Sequence, residues 1–216
     1  MLQKAVILGL RIYMQEQLVN ARHELIAAGQ FFHQRGWVPA TSSNFSARLS
    51  DHEILITSSG QHKGYLDSNG FLRADLNGQS LETGKKPSAE TGLHTVMYQR
   101  DTTIGCVLHT HSVNATVLSL RLSEVVLAGY EVQKAFPGIS THESQLVIPV
   151  FENQQDIPIL AREVNAYLDA NPQTVAYLIR GHGVYTWGKT ITDTRRHIEA
   201  LEFLFECYYR QLLLDN

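Results

Sequence analysis

Cysteine, long apolar runs and clustered positive charge are all scarce in this 216-residue chain, and each scarcity removes a class of protein. Only Cys106 and Cys207 are present, one in an apolar strand and one on a helix, so no disulfide framework is available. Both read as reduced thiols of a cytoplasmic protein, and as small hydrophobes rather than metal ligands. No apolar stretch is long enough to cross a bilayer, which argues against a membrane protein. Met1 to Leu10 passes into a polar amphipathic pattern without a small-residue cleavage site, so no signal peptide is expected. A formal charge of -3 without any Lys/Arg run argues against a nucleic-acid surface. There is no Walker loop and no GxGxxG, so a nucleotide is not indicated.

What is there is globular. Hydrophobic residues make up 44% and charged residues 18%, and the length suits one domain, residues 1–216, with a full core. Gln15 to Arg35 has helical spacing, with Leu18, Leu25, Ile26 and Phe32 on one side, and Gly36 and Pro39 stop it. Asn44 to Ser50 alternates like a strand and turns at Asp51-His52 into a second strand, Glu53 to Thr57. A short strand is predicted from Phe71 to Ala74, and a helix from Ala89 to about Gln99 with Ser88 as its cap. Further on, a short helix (Asn114 to Leu120) and a helical or irregular stretch around Leu127 to Phe136 precede a strand at Gln145 to Phe151. A helix from Ile157 to Leu168, a strand from Val175 to Ile179 and a terminal helix from Thr190 to Leu214 follow. Helices packed on a sheet, with an early antiparallel hairpin, make this an α/β protein.

The chemistry concentrates at the end of one strand. Ile104 to Leu108 has the length and content of a buried strand, and it runs into His109 and His111. Residues i and i+2 of an extended chain point to the same side, so the two imidazoles can share a metal ion. The same pair is also the pattern of two hydrogen-bonded histidines at a strand end. Arg180-Gly181-His182-Gly183, just after the strand Val175 to Ile179, tips the reading toward metal. Glycines on both sides of a histidine permit tight turning and close backbone approach, which a plain core histidine does not need. Three imidazoles suit a catalytic zinc with an open position.

Three small polar loops, Thr41-Ser42-Ser43-Asn44, Thr57-Ser58-Ser59-Gly60 and Lys86-Pro87-Ser88-Ala89-Glu90, interrupt apolar segments. Each alone is an ordinary cap or turn. As a set beside a metal site they can turn hydroxyls and N–H groups onto a phosphate. Glu90 sits next to the third loop. Glu131 lies in mostly apolar company (Val125 to Val132), where an apolar pocket would raise its pKa and suit proton transfer; a surface position on an amphipathic helix is the alternative. The other histidines show no partner pattern.

The motifs SSN at 42–44, ITSSG at 56–60, KPSAE at 86–90, HTHS at 109–112 and GHG at 181–183 resemble the class II aldolase/adducin family, in order and spacing, over nearly the whole chain. The resemblance implies a three-layer α/β/α fold with a mixed, mostly antiparallel central sheet. It implies a cyclic homotetramer with sites near subunit interfaces, and one zinc ion per subunit held by His109, His111 and His182. It also implies a sugar-phosphate substrate whose phosphate meets Asn44, Ser59, Gly60 and Ser88. Ala89 stands where aldolase relatives often carry a second serine. Glu90 matches the glutamate that aldolases use near the metal, and Glu131 aligns with the acid/base glutamate of a dehydrating branch. PATSSNFS at 39–46, SGQHKGY at 59–65, GYEVQKA at 129–135 and HGVYTWG at 182–188 are similar to that branch, which removes water from a methylthio-bearing ketose 1-phosphate in methionine salvage. Aldol cleavage of a ketose 1-phosphate is the alternative, because both reactions share the enediolate. An interaction module of the adducin kind would be expected to have a damaged histidine set, and here the set is intact.

Overall fold

Alternation along the strands decides how the layers stack. The computed structural model describes residues 2–215, with only the backbone for 2–8, 10 and 11. In chain order the elements are α1 (Leu2–Gln34), β1 (Asn44–Arg48), β2 (Glu53–Thr57), β3 (Phe71–Asp75), α2 (Thr91–Arg100), β4 (Cys106–Thr110) and α3 (Val113–Arg121). They continue with β5 (Glu124–Leu127), β6 (Leu146–Phe151), α4 (Ile157–Ala170), β7 (Ala176–Ile179), β8 (Gly183–Gly188) and α5 (Ile191–Leu214). The strands form one eight-stranded sheet in the order β3-β2-β1-β4-β8-β7-β6-β5. Every neighbouring pair is antiparallel except β6 with β7.

Successive residues of a strand face opposite sides of the sheet. Cys106, Leu108, Leu178 and Val184 bury against one helical layer, where Leu25 and Phe32 of α1, Leu118 of α3 and Leu201, Leu204 and Phe205 of α5 meet them. Val107, Tyr177, Ile179 and Tyr185 face the other way, onto Leu93 and Met97 of α2 and Leu160 and Val164 of α4. Both faces are covered, so the fold is the three-layer α/β/α arrangement with a mostly antiparallel mixed sheet. Each such side chain contributes roughly 1.5–3 kcal/mol by leaving water. No helix among the described residues is long and apolar enough to cross a membrane. Cys106 and Cys207 are both free thiols.

Four elements differ from the sequence reading. The first helix begins at Leu2, not Gln15; it does end where expected, with Gly36 at a φ of 74° just beyond it. Two strands, β5 and β8, were not predicted; β8 alternates Val184 and Thr186 against Tyr185 and Trp187, but follows its histidine too closely to stand out. Finally, α2 starts at Thr91 with Glu90 in the cap position, so Ser88 is not its cap. The Ser88 hydroxyl oxygen is shared between Asn44 Nδ2, 44 residues earlier in the chain, at 3.3 Å and the Glu90 backbone N–H at 3.4 Å.

Candidate active site

Strand register gathers the site into a row. Asn44 of β1 pairs with His109 of β4, His109 with Tyr185 of β8, and Tyr185 with Tyr177 of β7. Directly paired residues share a face, so all four project toward the α2/α4 layer. The His109 ring stacks on Tyr185 at a centroid distance of 4.0 Å, and Tyr185 stacks on Tyr177 at 5.0 Å. His111 follows one residue beyond β4. His182 arrives from the β7–β8 turn, where Gly181 has a φ of 63°. A side chain at Gly183 would place its Cβ 2.1 Å from the Thr110 carbonyl oxygen and 3.1 Å from the His109 ring. Both glycines that flank the histidine are therefore required, one by backbone conformation and one by contact.

The three Nε2 atoms converge. His111 Nε2 lies 2.7 Å and His182 Nε2 3.3 Å from His109 Nε2. His109 Nδ1 is 3.0 Å from the Val184 carbonyl, which can only accept, so Nδ1 carries the proton and Nε2 turns its lone pair inward. Burial is the main reason that the His109 and His111 pKa values are lowered, that of His111 to about 4, so both rings are neutral near pH 7. Imidazole nitrogens this close fit a divalent cation, and His109, His111 and His182 are the metal-competent group among the described residues.

Glu90 completes the centre. Its Oε1 lies 3.1 Å from His182 Nε2, and its Oε2 accepts from Asn44 Nδ2 at 2.7 Å and from the Tyr185 hydroxyl at 2.6 Å. Burial favours the neutral carboxyl, but the facing His109 and His182 and the donated hydrogen bonds outweigh it, leaving the pKa well below the carboxylate range. Behind Glu90 runs a hydrogen-bonded chain that the sequence reading missed. The Asn44 amide oxygen can only accept, so its close partner His94 Nε2 donates to it. His94 Nδ1 then accepts from the Ser46 hydroxyl at 2.7 Å, and Ser46 accepts from Tyr98 at 2.8 Å. His94 is fully buried, and that burial lowers its pKa to about 3, so it stays neutral in this chain of bonds. Its one signal in the sequence was the spacing of four residues from Glu90.

The three polar loops do meet. A cavity of about 210 Å³ has Ser43, Asn44, Ser59, Gly60, Ser88 and Glu90 in its wall and reaches His111 and His182. Ser43 holds a φ of 75° and Gly60 one of 77°. Asn44 contributes less to the cavity than expected: its amide hydrogens go to Ser88 and Glu90. Ser88 Oγ accepts there and keeps its own proton to donate.

Glu131 is placed elsewhere. It opens a short 3-10 turn, Glu131–Ala135, after β5, and the neighbouring Tyr130 and Val132 pack into the α1/α5 layer, on the other face of the sheet from His109. β5 is the edge strand, four strands from β4. The expectation of a raised pKa in an apolar pocket is not met. The carboxylate is exposed and bonded to Lys134 Nζ at 2.6 Å, which lowers its pKa.

Comparison with known proteins sharpens this picture. The family described as "Class II Aldolase and Adducin N-terminal domain" matches residues 23–209. The chain belongs to the class II aldolase and adducin family. Among curated members, it is 60% identical over 195 residues (89% of this chain, 95% of the other) to the methylthioribulose-1-phosphate dehydratase of Azotobacter vinelandii. It is 55% identical over 204 residues (94% and 98%) to the protein of the same name in Pseudomonas aeruginosa. Among solved structures of the family, L-fuculose-1-phosphate aldolase from Thermus thermophilus superposes with a TM-score of 0.75 over 92% of this chain and 99% of the aldolase, at 24% identity, a likeness of fold.

Proposed function

We propose that this chain dehydrates 5-methylthioribulose 1-phosphate to 2,3-diketo-5-methylthiopentyl 1-phosphate, a step of methionine salvage, as a cytoplasmic, zinc-dependent homotetramer whose subunit is one domain over residues 1–216. The observation that carries the reaction is the name shared by relatives 55–60% identical over nearly their full length. The site geometry serves aldol cleavage of a ketose 1-phosphate equally well and does not choose between the bonds. His109, His111 and His182 would hold the zinc, a choice that rests on an all-imidazole donor set. When bound, the ion supplies Lewis-acid stabilisation of charge developing on the C2 and C3 oxygens of the substrate.

The chain's own residues do the rest. Ser59, Gly60 and Ser88 hold the phosphate, and Asn44 acts mainly by orienting Ser88 and Glu90. Remote binding energy of this kind keeps the C3–H bond aimed at the base. Glu90, held ionised by the donors Asn44 Nδ2 and the Tyr185 hydroxyl, is a weak base near neutral pH. Proton transfer therefore falls to Glu131. The sheet separates Glu131 from its own histidines, so it acts in the site of a neighbouring subunit. Its carboxylate takes the C3 proton and returns it to the departing C4 hydroxyl. Water leaves, and the enol tautomerises to the diketone. Exposed Val113 and Leu120 on α3, just after the metal centre, supply apolar surface for such an interface.

Product analysis of the zinc-loaded protein tests the reading. Loss of one water with an intact carbon chain is expected. Dihydroxyacetone phosphate plus a methylthio aldehyde would make the protein an aldolase instead.

A further inference from the structure

We infer that Lys63, with the hydroxyls of Ser43 and Ser58, is the charge-bearing part of the anion pocket and decides the preference for a phosphorylated substrate. The inference rests on the proposed reading of that cavity as the phosphate site, and it adds residues to Ser59, Gly60 and Ser88.

Lys63 lines the same cavity and is only 2% exposed. Its ammonium donates to the Thr41 carbonyl at 3.0 Å and to the Gln61 carbonyl, so it ties the first loop to the residue that follows the second. An ammonium has three hydrogens, and these two bonds leave one over. Among the described residues no carboxylate lies within salt-bridge distance of it, and Glu90 makes its contacts with His109 and His182 instead. Burial lowers its pKa to about 8, with Glu90 at longer range acting in the opposite direction. A buried cation without a counter-ion is costly unless something negative joins it, and a phosphate dianion is the group that the surrounding donors fit.

Those donors are the second observation. Ser43 Oγ and Ser58 Oγ are both buried without a hydrogen-bond partner, and both serines line this cavity. Buried hydroxyls are otherwise almost always satisfied. Ser43 also keeps a left-handed backbone, with a φ of 75°, which a serine rarely adopts without a reason. A cation with a spare hydrogen and two hydroxyls with none of their bonds made, on residues lining one cavity, describe a receptor for an anion with several acceptor oxygens. If Lys63 only tied the loops together, the two hydroxyls would still lack partners.

The test uses the zinc-loaded protein and its Lys63→Met variant, chosen because methionine keeps the length without the charge. Binding of inorganic phosphate is measured by calorimetry, and kcat/KM is compared for the phosphorylated and the unphosphorylated methylthio ketose. The variant should keep its zinc, bind phosphate about tenfold or more weakly, and lose preference for the phosphorylated ketose by a similar factor, since a charge-assisted bond is removed. The unphosphorylated ketose, which never meets Lys63, should be handled as before. Unchanged phosphate affinity, or an equal loss on both substrates, would mean that Lys63 is a structural tether and overturn the inference. A wild-type protein that binds no phosphate would also overturn it. A wild-type protein that binds phosphate yet releases no water would defeat the dehydratase reading while the calorimetric comparison still judged Lys63. Should Lys63→Met fail to fold or to hold zinc, the Ser43→Ala/Ser58→Ala double variant replaces it. About a tenfold loss of phosphate affinity supports the inference there, and an unchanged affinity refutes it.

Discussion

If Glu131 serves a neighbouring subunit, two inactive variants should restore each other. Neighbouring strands lie about 4.8 Å apart, so the four steps from β4 to the β5 edge put Glu131 roughly 19 Å to the side of His109, behind the sheet. No rotamer spans that gap. His109→Ala removes the imidazole whose lone pair is held inward by Val184, and with it the metal. Glu131→Gln leaves the histidines untouched and removes only the group that moves the proton. In a ring where each site takes its histidines from one subunit and its carboxylate from the next, an equal random mixture completes about one site in four. Mixed tetramers should therefore recover about a quarter of the wild-type rate, against background from either parent. The assay is co-expression with two different affinity tags, isolation of doubly tagged tetramers, and ultraviolet detection of the diketone. No recovery in verified mixed tetramers would refute action across an interface. A near-normal rate for Glu131→Gln alone would go further and move the proton-transfer role to Glu90.

Two further predictions concern groups just behind the three histidines. Glu202 of α5 is fully buried, accepts from Thr110 at 3.4 Å, and has one carboxylate oxygen without a partner; burial raises its pKa from 4.5 to about 7. The folded state then holds a proton that the unfolded state has lost, so stability falls as pH rises from 4.5 to about 7 and the full penalty, about 3 kcal/mol, is present above that. Glu202→Gln should flatten this part of the stability–pH profile and raise stability at pH 8 in denaturant titrations; a variant with the wild-type slope would show that Glu202 is not the group responsible. Gly183→Ala should force β8 away from β4 at the Thr110 carbonyl, costing about 3 kcal/mol and lowering zinc content, since overpacking of this kind cannot be relieved by a rotamer. Wild-type stability and full zinc loading would refute the contact.

Much of the site is legible without coordinates because its chemistry is local. His109 and His111 share a face through a spacing of two on a strand, and the glycines beside His182 advertise a turn and a close contact that the structure contains. Helix α5 buries Ile198, Leu201, Leu204 and Phe205, the face that its spacing predicts. Other features depend on partners distant in sequence. Ser88 looks like a helix cap because its local sequence is a capping sequence, but a bond from Asn44 competes for its hydroxyl. His94 has no local pattern at all, and its role as a buried, neutral link exists only once β1 and α2 are packed together.

Glu131 shows the division most clearly. Its sequence context, apolar on both sides, describes hydrophobicity along the chain and says nothing about which face of the sheet the segment packs against. Side-chain spacing therefore determined the shared face of His109 and His111, the helical faces and the alternation of the strands by itself, because each depends on a backbone period of 2 or 3.6 residues. Tertiary structure alone decided that Glu131 stands apart from its own histidines, which lysine is buried without a counter-ion, and which hydroxyls are left free. Those properties depend on desolvation and on contacts between residues tens of positions apart, and no local period encodes them.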